Sequence, residues 1–291
     1  MKIFKSIGSG ALRSLKSWKC VIIVWFVSLL LISLYVIPVK GIMKAGFGSS
    51  TITELLSKGI NIDVISDLNQ YFNSILSYMS SGLFLLLLLG ILINTFFAGG
   101  LFKNVKGLQE PLSVPCFFRA SAKYFWYFLG LYFLIIMMII VSGLIIMGLP
   151  IGLAVQSESG SMGLARTIGI VSGSIFLLLL IILLLVADYS RAWLIASDKP
   201  AFFKALGFGF SETFGHFWSS ILMMLMIMVI MVLFVWLFST VIGVWKPATG
   251  GGVFLFFLVS QILIFVKILL RMWRYGSVTA LMEMNIIKNY D

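Results

Sequence analysis

Hydrophobic positions gather into six long runs, at about residues 20–39, 83–102, 124–149, 167–187, 217–245 and 253–270. Each supplies about the 20 residues that a helix needs to cross some 30 Å of hydrocarbon. A transmembrane barrel needs apolar and polar positions to alternate. The stretches 83–89 and 176–186 do not alternate, so each run must satisfy its backbone within itself, as a helix does. The pattern predicts an all-α fold: a polytopic transmembrane helical bundle of six spans, forming one integral membrane domain over 1–291.

The polar positions add a direction. Of the 21 Lys and Arg, sixteen fall before the first run, in the second-to-third and fourth-to-fifth gaps, and at or beyond the sixth. The opposite side has only Lys40, Lys44, Lys58, Arg166 and Lys246. By the positive-inside bias this predicts a multi-pass protein of the bacterial inner (cytoplasmic) membrane with both termini cytoplasmic. The same asymmetry accounts for the net charge of +11 without nucleic acid, since bases on one membrane face meet anionic headgroups. With 61% hydrophobic and 11% charged residues, the chain lies far from the roughly one-quarter charged composition of soluble domains. The first run is too long for a signal-peptide core and is expected to stay as a span.

Amphipathic stretches stand ahead of the odd-numbered spans. Phe4-Lys5-Ser6-Ile7-Gly8 leads to Trp18, Phe117-Phe118-Arg119-Ala120 to Trp126, and Phe202-Phe203-Lys204-Ala205-Leu206-Gly207 to Trp218. Phe4, Ile7, Ala11, Leu15 and Trp18 share a helix face, which suits a helix lying in the headgroup plane. The expected architecture is three repeats of an interfacial helix plus a helical hairpin. In the first gap, Thr51-Ile52-Thr53-Glu54 is a capping-box pattern. Apolar positions then recur at helical spacing from Ile62 to Ile75, predicting a periplasmic amphipathic segment over about 51–80. Ser157–Ser161 reads as a loop.

Residues able to do chemistry are few. Lys267, Arg271 and Arg274 recur at i, i+4 and i+7 at the basic end of the sixth span. They form a stripe suited to a lipid phosphate or an acidic partner, or simply to snorkelling. Asp188 and Arg191 lie one turn apart at the end of the fourth span, and a carboxylate there needs a partner, Arg191 or Arg271. Asn94 and Gln261 are expected to hydrogen-bond neighbouring helices, and Gly169 and Gly173 form a GxxxG close-packing face. His216 is the only histidine, and Cys20 and Cys116 fall on the reducing side. No catalytic set, metal site or cofactor is therefore expected.

The segment Ala187-Asp188-Tyr189-Ser190-Arg191-Ala192-Trp193, the acidic turn at Asp198, Ala205-Leu206-Gly207-Phe208 and His216-Phe217-Trp218 form a recognisable series. Together with Phe97-Ala98-Gly99-Gly100 and Tyr124-Phe125-Trp126, it resembles uncharacterised bacterial six-span integral membrane proteins. Those are similar to the membrane domain of some glycerophosphoryl diester phosphodiesterases. The resemblance implies the six-span fold and carries no catalytic residue, because no phosphodiesterase domain is present. The expected role is a non-catalytic accessory subunit, scaffold or assembly factor, with membrane lipids and a protein of a membrane complex as partners. The alternative is a transporter or lipid-handling protein. An enzyme would need polar residues clustered around His216 and Asp188.

Overall fold

The computed structural model describes residues 2–47, 69–106, 114–156, 162–197, 201–245 and 249–288. All regular elements among them are helical. They are α1 (Lys2–Lys16), α2 (Trp18–Phe47), α3 (Asn69–Lys106), α4 (Val114–Gly143), α5 (Leu149–Gln156), α6 (Met162–Ala196), α7 (Phe202–Gly215), α8 (Phe217–Val244) and α9 (Gly250–Lys288). Among the described residues, six stretches are long and apolar enough to cross a membrane: Trp18–Gly41, Ser80–Lys106, Val114–Gly152, Arg166–Ala196, Phe217–Val244 and Gly250–Ile286. Phe84, Met137, Val232 and Phe254 point outward along them. Large apolar side chains exposed in such number belong in lipid rather than water. This is a polytopic membrane protein.

Two spans run well past their expected ends. The fourth continues from Ala187 to Ala196 and the sixth from Leu270 to Ile286. Charge marked those ends in the sequence, but a paired charge does not stop a helix. At 1.5 Å per residue, the 39-residue α9 is about 58 Å long, nearly twice the hydrocarbon thickness of about 30 Å. The described end of the expected amphipathic segment, from Asn69, also continues without a break into the second span as α3. The rest of that segment, and the loop Ser157–Ser161, lie outside the described residues.

The chain forms two compact units, one of Ile23–Asn94 and one of Met1–Ile22 with Thr95–Asp291. In the first, a side chain on Gly82 would press on the Tyr35 ring. The second contains three close helix crossings, each made at small residues. On α1, Ser6, Gly10 and Ser14 are buried, and a Cβ on Gly10 would fall 2.5 Å from the Ser277 backbone nitrogen of α9. On α7, Ala205, Gly209 and Thr213 are buried, and a Cβ on Gly209 would fall 2.5 Å from the Val186 carbonyl of α6. At the start of α4, Ala120 and Ser121 lie against Gly99, and Phe117 against Gly100, near the end of α3. Small residues at these positions let backbones approach closely and gain dispersion contacts that lipid does not offer.

The three amphipathic stretches differ in one respect. A break at Ser17 separates α1 from the first span, and a break at His216 (φ −124°, ψ 42°) separates α7 from the fifth. The stretch from Phe117 to Trp126 instead forms the first turns of α4 itself. It is the shortest copy, too short for a separate helix and a turn. One further irregularity, a π-helical turn at Leu144–Gly148, joins α4 to α5. Pro150 has no N–H, and its ring crowds the carbonyl one turn back. The backbone widens just before it, with the Leu149 N–H reaching the Leu144 carbonyl.

Candidate functional site

Charged and polar side chains converge where α6, α7, α8 and α9 meet. Asp188, near the end of α6, has no solvent exposure. Its Oδ1 accepts a hydrogen bond from Arg191 Nη1 at 3.2 Å, one turn along the same helix. Its Oδ2 lies 2.9 Å from Arg274 Nε of α9, a charge contact rather than an aligned hydrogen bond. Both guanidinium groups are largely buried, at 13% and 15% side-chain exposure. A carboxylate at this depth is tolerated because two cations and at least one hydrogen bond replace its water.

Tyr275 lies next to this pair. Arg271 Nε donates to its hydroxyl at 2.7 Å. The Arg271 and Arg274 guanidinium carbons stand 5.3 Å and 5.2 Å from its ring centre, within cation–π range. Phe102 of α3 stacks on the same ring at 4.2 Å. Arg271 and Arg274 are thus both drawn inward, while Lys267 stays exposed. Asp188, Arg191 and Arg274 come together as one cluster, with Arg274 rather than Arg271 as the close cross-helix partner. The i, i+4, i+7 spacing could not show that Arg271 and Arg274 turn inward while Lys267 does not, nor the order of contacts along the helix.

A second polar group lies nearby. Glu212 of α7 accepts a hydrogen bond from Asn285 Nδ2 of α9 at 2.7 Å, and His216 Nδ1 stands 3.3 Å from the same oxygen. The Tyr189 hydroxyl shares a buried 2.8 Å hydrogen bond with Ser220 Oγ of α8. Sequence reasoning passed over Glu212, Asn285, Ser220 and Tyr275, and it named Tyr189 only within the resemblance. The i, i+4 spacing of Glu212 with His216, and of Arg271 with Tyr275, was the available signal. Further along α9, Trp273 Nε1 donates to the Ile7 carbonyl of α1 at 2.8 Å. Arg13 Nη2 meets Glu283 Oε2 at 2.7 Å.

No family model, curated protein or solved structure matches this chain. What holds is the coarse plan, a helical protein with six candidate membrane spans. The likeness to the phosphodiesterase membrane domains therefore adds nothing beyond that plan.

Elsewhere the expected positions fare differently. A Cβ on Gly169 or Gly173 meets no atom within 4 Å, so that GxxxG packs against nothing among the described residues. Gln261 keeps a buried Oε1 with no hydrogen-bond partner among the described residues, and Asn94 is exposed. Among the described residues no group of three or more His, Cys, Asp or Glu could hold a metal. One apolar groove of about 320 Å³ lies beside the π turn, between Ile146 and Pro150 on one side and Ile168, Val171 and Ile175 on the other. Ser172 also lines it, but turns its hydroxyl to the Gly169 carbonyl of its own helix.

Proposed function

We propose that the protein is a non-catalytic integral membrane protein of the bacterial inner membrane, with cytoplasmic termini, acting as an accessory subunit, scaffold or assembly factor. The observation that carries this reading is the closure of the polar centre on itself. Asp188 is neutralised by Arg191 and Arg274, Glu212 is tied to Asn285, and Ser220 is held by Tyr189. Polar residues do gather around His216 and Asp188, as an enzyme would require. Yet Asp188, Tyr189 and Ser220 have no solvent exposure, and a nucleophile or base must be able to reach its substrate. Their partners join four helices, which suits a rigid platform. The three small-residue crossings support a threefold repeat, in which each even span is crossed by the amphipathic stretch of the next unit and the last by that of the first.

The test is mild extraction of the tagged full chain. A companion protein of fixed stoichiometry is expected, one whose membrane level falls when this chain is deleted. A chain that elutes alone, with every other membrane protein unchanged by its deletion, would overturn the reading. The groove beside the π turn favours a second reading, lipid handling. That reading predicts transfer of labelled phospholipid between leaflets of liposomes containing the purified protein, abolished by Val171→Trp.

A further inference from the structure

Helix α1 divides its circumference three ways. At 3.6 residues per turn, Ser6, Gly10 and Ser14 fall in one arc, and that arc is buried. Phe4, Leu12 and Leu15 fall in a second arc, and all three are exposed, at 57–70%. Lys2, Lys5 and Lys16 fall in a third arc beside it and are also exposed. A surface helix of a soluble protein turns its apolar arc to the core. Here small residues take that role, so the apolar arc is left for something outside the chain. Trp18 and Lys19, both exposed, extend the same combination just past the helix end.

The charge on the exposed surface has one sign. α1 contains no Asp or Glu. Arg13, its one inward base, is met by Glu283. Among the described residues no acid forms an ion pair with Lys2, Lys5 or Lys16. α7 shares the plan in weaker form, with Phe203 and Phe214 exposed but Lys204 as its single base. An apolar arc flanked by lysines, on a helix continuous with a span but for one residue, matches the acyl–headgroup boundary of a bilayer. The uncompensated lysines match anionic headgroups in that layer.

We propose that α1 is an anionic-phospholipid binding element, seating Phe4, Leu12 and Leu15 among acyl chains while Lys2, Lys5 and Lys16 hold headgroup phosphates of the same leaflet. This moves the lipid contact from the α9 stripe, where Arg271 and Arg274 are engaged with Tyr275 and Asp188, to the N-terminal helix. It stands whether or not the protein serves as a scaffold.

The full chain in nanodiscs of equal phosphatidylcholine and phosphatidylglycerol provides the test, with retained lipid counted by native mass spectrometry. The wild type is expected to retain phosphatidylglycerol in preference. Lys2→Gln, Lys5→Gln and Lys16→Gln should each lower that preference, by up to about fivefold, and the triple variant should come close to none. The three side chains are exposed, so the melting temperature should stay unchanged. If the triple variant does not express, the graded single variants decide the matter alone. A preference that survives all three changes overturns the proposal. So does a preference lost in Lys267→Gln or Lys204→Gln alone, which would assign the lipid to α9 or α7.

Discussion

Asp188 is shut off from solvent, and the two guanidinium groups beside it decide whether the surrounding helices hold. Asp188→Asn would leave Arg191 and Arg274 facing each other without the intervening charge, each already about 85% buried. Removing one partner from such a pair costs about 3 kcal/mol or more, because the remaining charges stay desolvated. The melting temperature in detergent should fall sharply in Asp188→Asn. It should fall less in Arg274→Gln, where Arg191 still neutralises the carboxylate. The double variant should lose less than the two single losses added, since Arg274→Gln removes one of the two cations that Asp188→Asn leaves uncompensated. Strict additivity would mean that the 2.9 Å contact carries no coupling. The i, i+3 spacing of Asp188 and Arg191 made half of this cluster legible in the sequence. The other half crosses from α6 to α9, and no sequence spacing reports which turn of one helix meets which turn of another.

At the scale of helices, the seams are built from small residues, and the sequence pointed to the wrong ones. Gly169 and Gly173 carry the familiar spacing but meet nothing among the described residues. Ser6, Gly10 and Ser14, and likewise Ala205, Gly209 and Thr213, carry the same four-residue spacing with hydroxyls and methyls among the glycines. Spacing marks a face as narrow, but only packing shows what lies across it. Gly10→Leu should therefore force α1 from α9, because even the first added carbon meets the Ser277 backbone. Overpacking of this kind costs about 1–3 kcal/mol. Gly169→Leu should shift stability by no more than about 0.5 kcal/mol. Thermal melts of both variants decide between the two seams, and an equal loss in each would show that α1 is not held at Gly10.

Across the Met1–Ile22 and Thr95–Asp291 unit, the tethers meet in the last turns of α9. Trp273 and Glu283 hold α1, Arg274 holds α6, Asn285 holds α7, and Tyr275 stacks on Phe102 of α3. All of these residues lie beyond Leu270, where hydropathy alone ends the sixth span. The six spans and their all-α character were legible because lipid imposes them on composition. This extension was not, since its Arg, Tyr, Ser and Asn residues look like an ordinary polar tail until their partners are known. A chain ending at Leu270 makes the distinction measurable. It keeps the apolar part of every span and should still insert in the membrane. Without the tethers, α1 and α7 lose their polar anchors, and Asp188 loses one of its two cations. Limited proteolysis should then cut near α1 and α7 in the truncated chain and spare them in the full one. Equal resistance in both chains would mean that the spans alone hold these helices.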